Sequence, residues 1–201
     1  MPEYSHIQTY IKCNEENFKE NLLKLKLLLK EIGFNDNYIL ENCENIEWVE
    51  EENGFIYTGC GFNCVKFDYY GFSLKLRPLV LGWTPRISDD IKESWLELEL
   101  LFESEEISWD YGNGRLKDGI KEQIVSYMIT FSKYFNETGT YFTDEVTDGM
   151  PWKSLTNIGG YTWAFDIAII PSCLEYLYSD MPTEFTKQMI QDKYIYIGER
   201  V

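Results

Sequence analysis

Leu96, Leu98, Leu100 and Phe102 alternate with Glu97, Glu99, Leu101 and Glu103. A period of two divides side chains into two faces only on an extended strand, so this segment belongs in a sheet whose leucine face is covered. The opposite face reads as acidic. Glu97, Glu99 and Glu103 fall in one row, about 7 Å apart per two-residue step, with Trp95 and Leu101 on the same side.

A cover for the leucine face is legible on either side of this strand. Phe18, Leu22, Leu25, Leu29 and Ile32 recur at alternating steps of four and three, the stripe of a helix with one buried side. Asn14 suits its N-cap, Glu15, Glu16 and Glu20 its positive end, Lys24, Lys26 and Lys30 its later turns, and Gly33 its stop. A second long helix is predicted from about Leu116 to Phe135, with Ile120, Ile124, Met128, Phe131 and Phe135 on one stripe. Residues 35–52 predict a shorter helix or an irregular segment.

Strand patterns occupy residues 4–12, two or three segments between Phe55 and Leu81, and the closing YIYI. Residues 161–170 are apolar on both faces and read as a central strand, with Pro171 opening a short helix. A polar helical stretch is expected after Pro182. Strands come in runs and do not alternate strictly with helices, which points to an α+β fold: an antiparallel sheet of about five to seven strands covered by two long helices. At 201 residues and 44% hydrophobic content the chain is expected to form one domain, residues 1–201.

The formal charge is −16, and it is unevenly placed. Residues 41–52 hold Glu41, Glu44, Glu47, Glu50, Glu51 and Glu52 with no base, and residues 89–110 hold nine acids against Lys92 alone. Such fields repel nucleic acid and anionic membranes and draw in cationic partners, so neither direct nucleic-acid binding nor membrane binding is expected. The opening residues lack the pattern of a secretory signal and no apolar run approaches ~18 residues, so a cytoplasmic location is expected. Five irregularly spaced cysteines then read as reduced thiols.

Trp95, Glu97, Glu99, Leu101, Glu103, Glu105 and Glu106 form a candidate partner-binding surface, since carboxylates around an aromatic anchor fit a Lys/Arg-rich protein. The plainer reading is a solvated sheet face, which charge runs usually are. Residues 143–160 are long and aperiodic for a connection, and add Asp144, Glu145, Asp148 and Trp152 to the candidate surface. Three acids so close in sequence also suit a divalent cation, yet no calcium-loop spacing is present, and an ordinary loop is the plainer reading. Asp166, in an apolar segment, must find donors or take a shifted pKa, as a structural acid or a catalytic one. Cys60 and Cys64 make one short-spaced pair where a zinc ribbon needs two, even with Cys13 and Cys43 in reach. His6, the sole histidine, is expected at a strand edge. No nucleophile–base pair emerges, and no cofactor or resident metal is expected.

In its acid strand SWLELELLFESEE, its loop FTDEVTDGMPWKSL and its small acidic make-up, the chain resembles the immunity proteins with which bacteria neutralise toxins. The resemblance implies a non-catalytic inhibitor whose acidic surface occludes a cationic toxin, often a nuclease, with capture sped by electrostatic steering. Two other expectations stand beside it. One is a phage-encoded acidic nucleic-acid mimic that inhibits a defence enzyme. The other is a metal-dependent enzyme using Asp144, Asp148 and Asp166, or a carboxylate pair acting as acid and base.

Overall fold

A computed structural model describes residues 4–57, 65–69, 72–87, 91–110, 115–144, 161–199 and 201. Strand β1 (Tyr4–Lys12) hands over to helix α1 (Glu15–Glu31) through Asn14. The Asn14 side-chain oxygen accepts from the backbone N–H groups of Glu16 and Asn17, and Asn17 returns the bond to the Asn14 N–H, a reciprocal cap that satisfies the helix's first donors. Helix α2 (Asn37–Asn45) is capped by Asp36, whose side chain accepts from the backbone N–H groups of Tyr38 and Ile39. There follow β2 (Val49–Glu50), β3 (Phe55–Tyr57), β4 (Val65–Tyr69), β5 (Phe72–Trp83), β6 (Trp95–Glu103) and the single turn α3 (Ser104–Ile107). A small hairpin, β7 (Ser108–Asp110) and β8 (Arg115–Leu116), leads to α4 (Ile120–Tyr134). The chain ends through β9 (Thr140–Thr143), β10 (Ile167–Pro171), a 3-10 helix (Ser172–Tyr178), β11 (Phe185–Ile190) and β12 (Lys193–Gly198).

Ten strands make one antiparallel sheet in the order β11-β12-β10-β9-β1-β6-β5-β3-β2, with β4 pairing β5. The fold is α+β, as the grouping of strands implies, but the sheet exceeds five to seven strands. Nor is the helical cover two long helices alone, because α2 joins α1 and α4 in it. Leu96, Leu98, Leu100 and Phe102 of β6 are buried with Leu22, Leu25 and Leu29 of α1, Ile39 and Leu40 of α2, and Ile124, Met128 and Phe131 of α4. Each such side chain removed from water contributes roughly 1.5–3 kcal/mol.

The other face of the sheet has its own core. Tyr10, Tyr141, Trp163, Phe165, Tyr178, Phe185 and Tyr196 form an aromatic cluster there, with the Trp163 ring 5.0 Å from Phe185 and 5.3 Å from Tyr196. The sheet is therefore covered on both sides along its middle, and β6 is buried continuously over its seven inner residues. Among the described residues no helix is long and apolar enough to cross a membrane.

Two expectations are corrected. His6 lies on β1, between β6 and β9 in the interior of the sheet and not at an edge. The segment after Pro182 is no helix but the outer strand β11, paired with β12 along its whole length. Its middle four side chains are all exposed, which erases the strand period, and its turn is Gln191-Asp192 where an Asn-Gly pair would have announced a hairpin. Gln191 sits at φ 56, the one described non-glycine residue with positive φ. That conformation strains any L side chain. Replacing Gln191 by glycine is expected to stabilise the chain by about 0.5–1 kcal/mol in urea unfolding, and a loss of stability would contradict the strained turn.

Candidate functional site

Strands β1 and β5 flank β6, and opposed residues of an antiparallel pair share a face. Glu97 stands between Tyr10 and Leu81, Glu99 between Gln8 and Leu79, Leu101 between His6 and Arg77, and Trp95 between Lys12 and Trp83, while Glu103 stands opposite Tyr4. This layer continues the face that carries the aromatic cluster. Glu97 is 5% exposed, Glu99 6% and Leu101 8%. The central part of the row is thus interior, which corrects its reading as an open acidic face. Alternation reports that the two faces of a strand differ chemically, and on a central strand both can be covered.

Burial obliges these carboxyls to find partners, since a lone ionised carboxylate away from water costs several kcal/mol. Trp83 Nε1 donates to Glu97 Oε2 at 3.1 Å, and His6 Nδ1 lies 3.3 Å from Glu99 Oε2. Tyr10 donates its hydroxyl to Gln8 Oε1 at 2.6 Å, and Gln8 Nε2 donates to Thr143 Oγ1 at 3.0 Å, extending the network across β1 to β9. Burial, then the adjacent Glu99 carboxyl, hold the Glu97 pKa well above the ordinary carboxylate range, while Tyr10 and Trp83 pull the other way without prevailing. A neutral Glu97 can donate its proton to Glu99, and two like charges are then not forced together.

At the end of the row the chemistry changes. Glu103 and Glu106 both turn to Lys75, whose Nζ lies 2.6 Å from Glu103 Oε2 and 3.7 Å from Glu106 Oε1, and whose backbone N–H donates to Glu106 at 2.6 Å. Glu105 is exposed. At the other end Trp95 is half-buried beneath the Lys12 ammonium, 5.8 Å above its ring, and Lys12 is paired with Glu93. Of the loop acids, Asp144 is buried, while Glu145, Asp148 and Trp152 lie outside the described residues.

The fold brings Asp144 and Asp166, both buried, to one cavity of about 10 Å³ that Ser5 and Ser108 also line. That volume holds about one water molecule. Among the described residues no group of three or more His, Cys, Asp or Glu side chains is arranged to hold a metal ion. Cys13 and Cys43 are free thiols, pushed up to about 11 and about 12 by burial, and Cys173 is an exposed free thiol. Cys60 and Cys64 lie outside the described residues.

The acidic block at residues 41–52, marked in the sequence by its charge but left out of the candidate surface, is a surface of its own. Glu41, Glu44, Glu47, Glu50, Glu51 and Glu52 are all exposed on α2, β2 and the turns beside them, together with Tyr38 (61%) and Val49 (48%). Glu44 pairs with Lys26 at 2.5 Å and Glu50 with Arg86 at 3.1 Å. Trp48 packs edge-on to Phe18, their ring centres 5.3 Å apart, and ties the segment to α1. The run of acids without a base was the available signal. No family model matches the chain, and no curated protein matches it as a relative.

The raised Glu97 pKa fixes a sign. The folded state holds a proton that an unfolded glutamate releases near pH ~4.3, so this group's stabilisation is complete below that value and is lost as pH rises toward the folded pKa. Glu97→Gln keeps the shape and removes the titration. Its stability relative to wild type is expected to rise in urea unfolding as the pH is raised above the ~4.3 of an unfolded glutamate. A difference that stays constant with pH would contradict a neutral Glu97.

Proposed function

We propose that this chain is a non-catalytic inhibitory binding protein, an immunity protein that neutralises a cationic, nuclease-type toxin through an acidic surface. The observation that carries the reading is the exposed block at residues 41–52. Glu41, Glu47, Glu51 and Glu52 have no ion pair among the described residues, and they share the segment 38–52 with exposed Tyr38 and Val49. Carboxylates around apolar and aromatic anchors, held on a helix and a sheet edge, suit a Lys/Arg-rich surface, and a local field of this sign speeds capture. Glu103, Glu105 and Glu106 extend the acidic character, though Lys75 offsets part of it. Glu97 and Glu99 are interior and take no part in contact.

The test is capture of the partner at low and high salt. A stoichiometric, cationic partner with nuclease activity is expected to bind at about 50 mM salt and to be lost at about 500 mM. Joint reversal of Glu47→Lys, Glu51→Lys and Glu52→Lys is expected to weaken it at least about tenfold, while Glu97→Gln leaves it unchanged. Binding unaffected by the triple reversal would remove this block as the interface. A DNA-handling defence enzyme as the partner would move the reading to the nucleic-acid mimic.

One observation favours a second reading, the metal-dependent enzyme using Asp144, Asp148 and Asp166. Asp144 and Asp166 line the same cavity. Calorimetric titration with Mn²⁺ tests it: stoichiometric binding abolished by Asp166→Asn supports a metal centre, and absence of binding rejects one.

A further inference from the structure

Where the turn between β11 and β12 meets the C-terminal end of α4, the structure holds a cavity of about 240 Å³, the liquid volume of about eight water molecules. Ile129 of α4, Ile169 of β10 and Ile190 of β11 give it apolar walls. Its polar groups are Ser132, Lys133, Gln191 and Lys193. No acid lines it, in a chain with 34 acids against 18 bases. Asp192, between Gln191 and Lys193, is exposed and stands outside the lining.

The Lys193 ammonium gives this cavity its sign. It is half-buried and donates to the Ser132 carbonyl and, at 3.3 Å, to the Ser132 hydroxyl oxygen, whose own proton goes to the Ile129 carbonyl. An ammonium has three donors, so one remains, and among the described residues no carboxylate lies within ion-pair distance of it. The carbonyls that end α4 carry roughly half a negative charge, which one ammonium more than offsets. Lys133 adds little, because Glu31 holds it at 2.7 Å. Gln191 brings a second donor, a side-chain amide with no hydrogen bond among the described residues. Its φ of 56 is one that glycine would hold without strain, and strained residues of this kind gather at ligand clamps.

We propose that this cavity binds a small aliphatic carboxylate, its chain among Ile129, Ile169 and Ile190 and its head group on the remaining donor of Lys193 and the amide of Gln191. A half-buried ammonium lacks a counter-ion here, and a carboxylate supplies it through a charge-assisted bond. An amine of the same shape would bring a second positive charge to the same place, which is unfavourable. The site shares no residue with the 41–52 block and does not depend on the function proposed for it.

Hexanoate, with about eight non-hydrogen atoms, is the probe, and hexylamine is its control. Calorimetric titration of the full chain at about pH 7 is expected to give one hexanoate per chain with a Kd no weaker than about 1 mM, an affinity within reach of a ligand of that size. In isoleucine-methyl spectra the signals of Ile129, Ile169 and Ile190, assigned by replacement with valine, are expected to move with hexanoate and not with hexylamine. Lys193→Met keeps the stem and removes the charge, and is expected to weaken hexanoate binding at least about tenfold. Ile129→Trp, at an exposed position, fills the cavity without altering Lys193 and is expected to abolish binding. Binding weaker than about 1 mM, equal binding of hexylamine, shifts that miss the three isoleucines, or binding indifferent to a folded Lys193→Met or Ile129→Trp would overturn the proposal. If Lys193→Met fails to fold, Ile129→Trp and the hexylamine comparison decide.

Discussion

The fold depends on how a glutamate is kept in the middle of a sheet. Glu97 lies on β6, a central strand whose leucine face packs on three helices and whose other face is also covered. An ionised carboxylate there would cost more than any one hydrogen bond returns. The Trp83 indole N–H, the Tyr10 hydroxyl and the neighbouring Glu99 instead surround a carboxyl whose proton is retained. Through Gln8 and Thr143 the same network reaches β9, so four adjacent strands of the sheet are joined by side-chain bonds as well as by the backbone ladder. A polar network of this kind is stable only when its members are satisfied together, and that ties the register of β5, β6, β1 and β9 to one chemical state.

The acidity of the chain is consequently of two kinds. Part of it is interior, as at Glu97, where neutralisation within the fold leaves nothing to steer a partner. Part of it is exposed at α2 and β2, on a segment pinned by Trp48 against Phe18, where charge acts through solvent at a distance. The net charge of −16 counts both alike. Location in the sheet, not number, decides which acids can be felt from outside.

Much of the architecture was legible in the sequence. The leucine stripe and Asn14 cap announce α1, the stripe from Ile120 to Phe131 announces most of α4, and the alternation of β6 shows which of its faces meets them. The second cover was not legible, because period two says that two faces differ and is silent on whether either is wet. The aromatics that build it, Trp163, Phe165, Tyr178 and Tyr196, come from segments joined only by the tertiary fold. The same holds for Asp144 and Asp166, 22 positions apart in sequence and brought to one cavity. β11 was hidden for the opposite reason: an edge strand with four exposed side chains and a Gln-Asp turn carries neither a strand period nor a hairpin signature.

The claim on which this picture rests is the protonation of Glu97. Carboxyl ¹³C chemical shifts of glutamate-labelled protein, assigned through the loss of one signal in Glu97→Gln, report it directly. The account predicts that the Glu97 carboxyl keeps the shift of a protonated acid at pH values where the other glutamates have ionised, with a midpoint well above the ~4.3 of an ordinary glutamate. A Glu97 signal that titrates with an ordinary midpoint would contradict it, and would mean that this face of β6 is open to water.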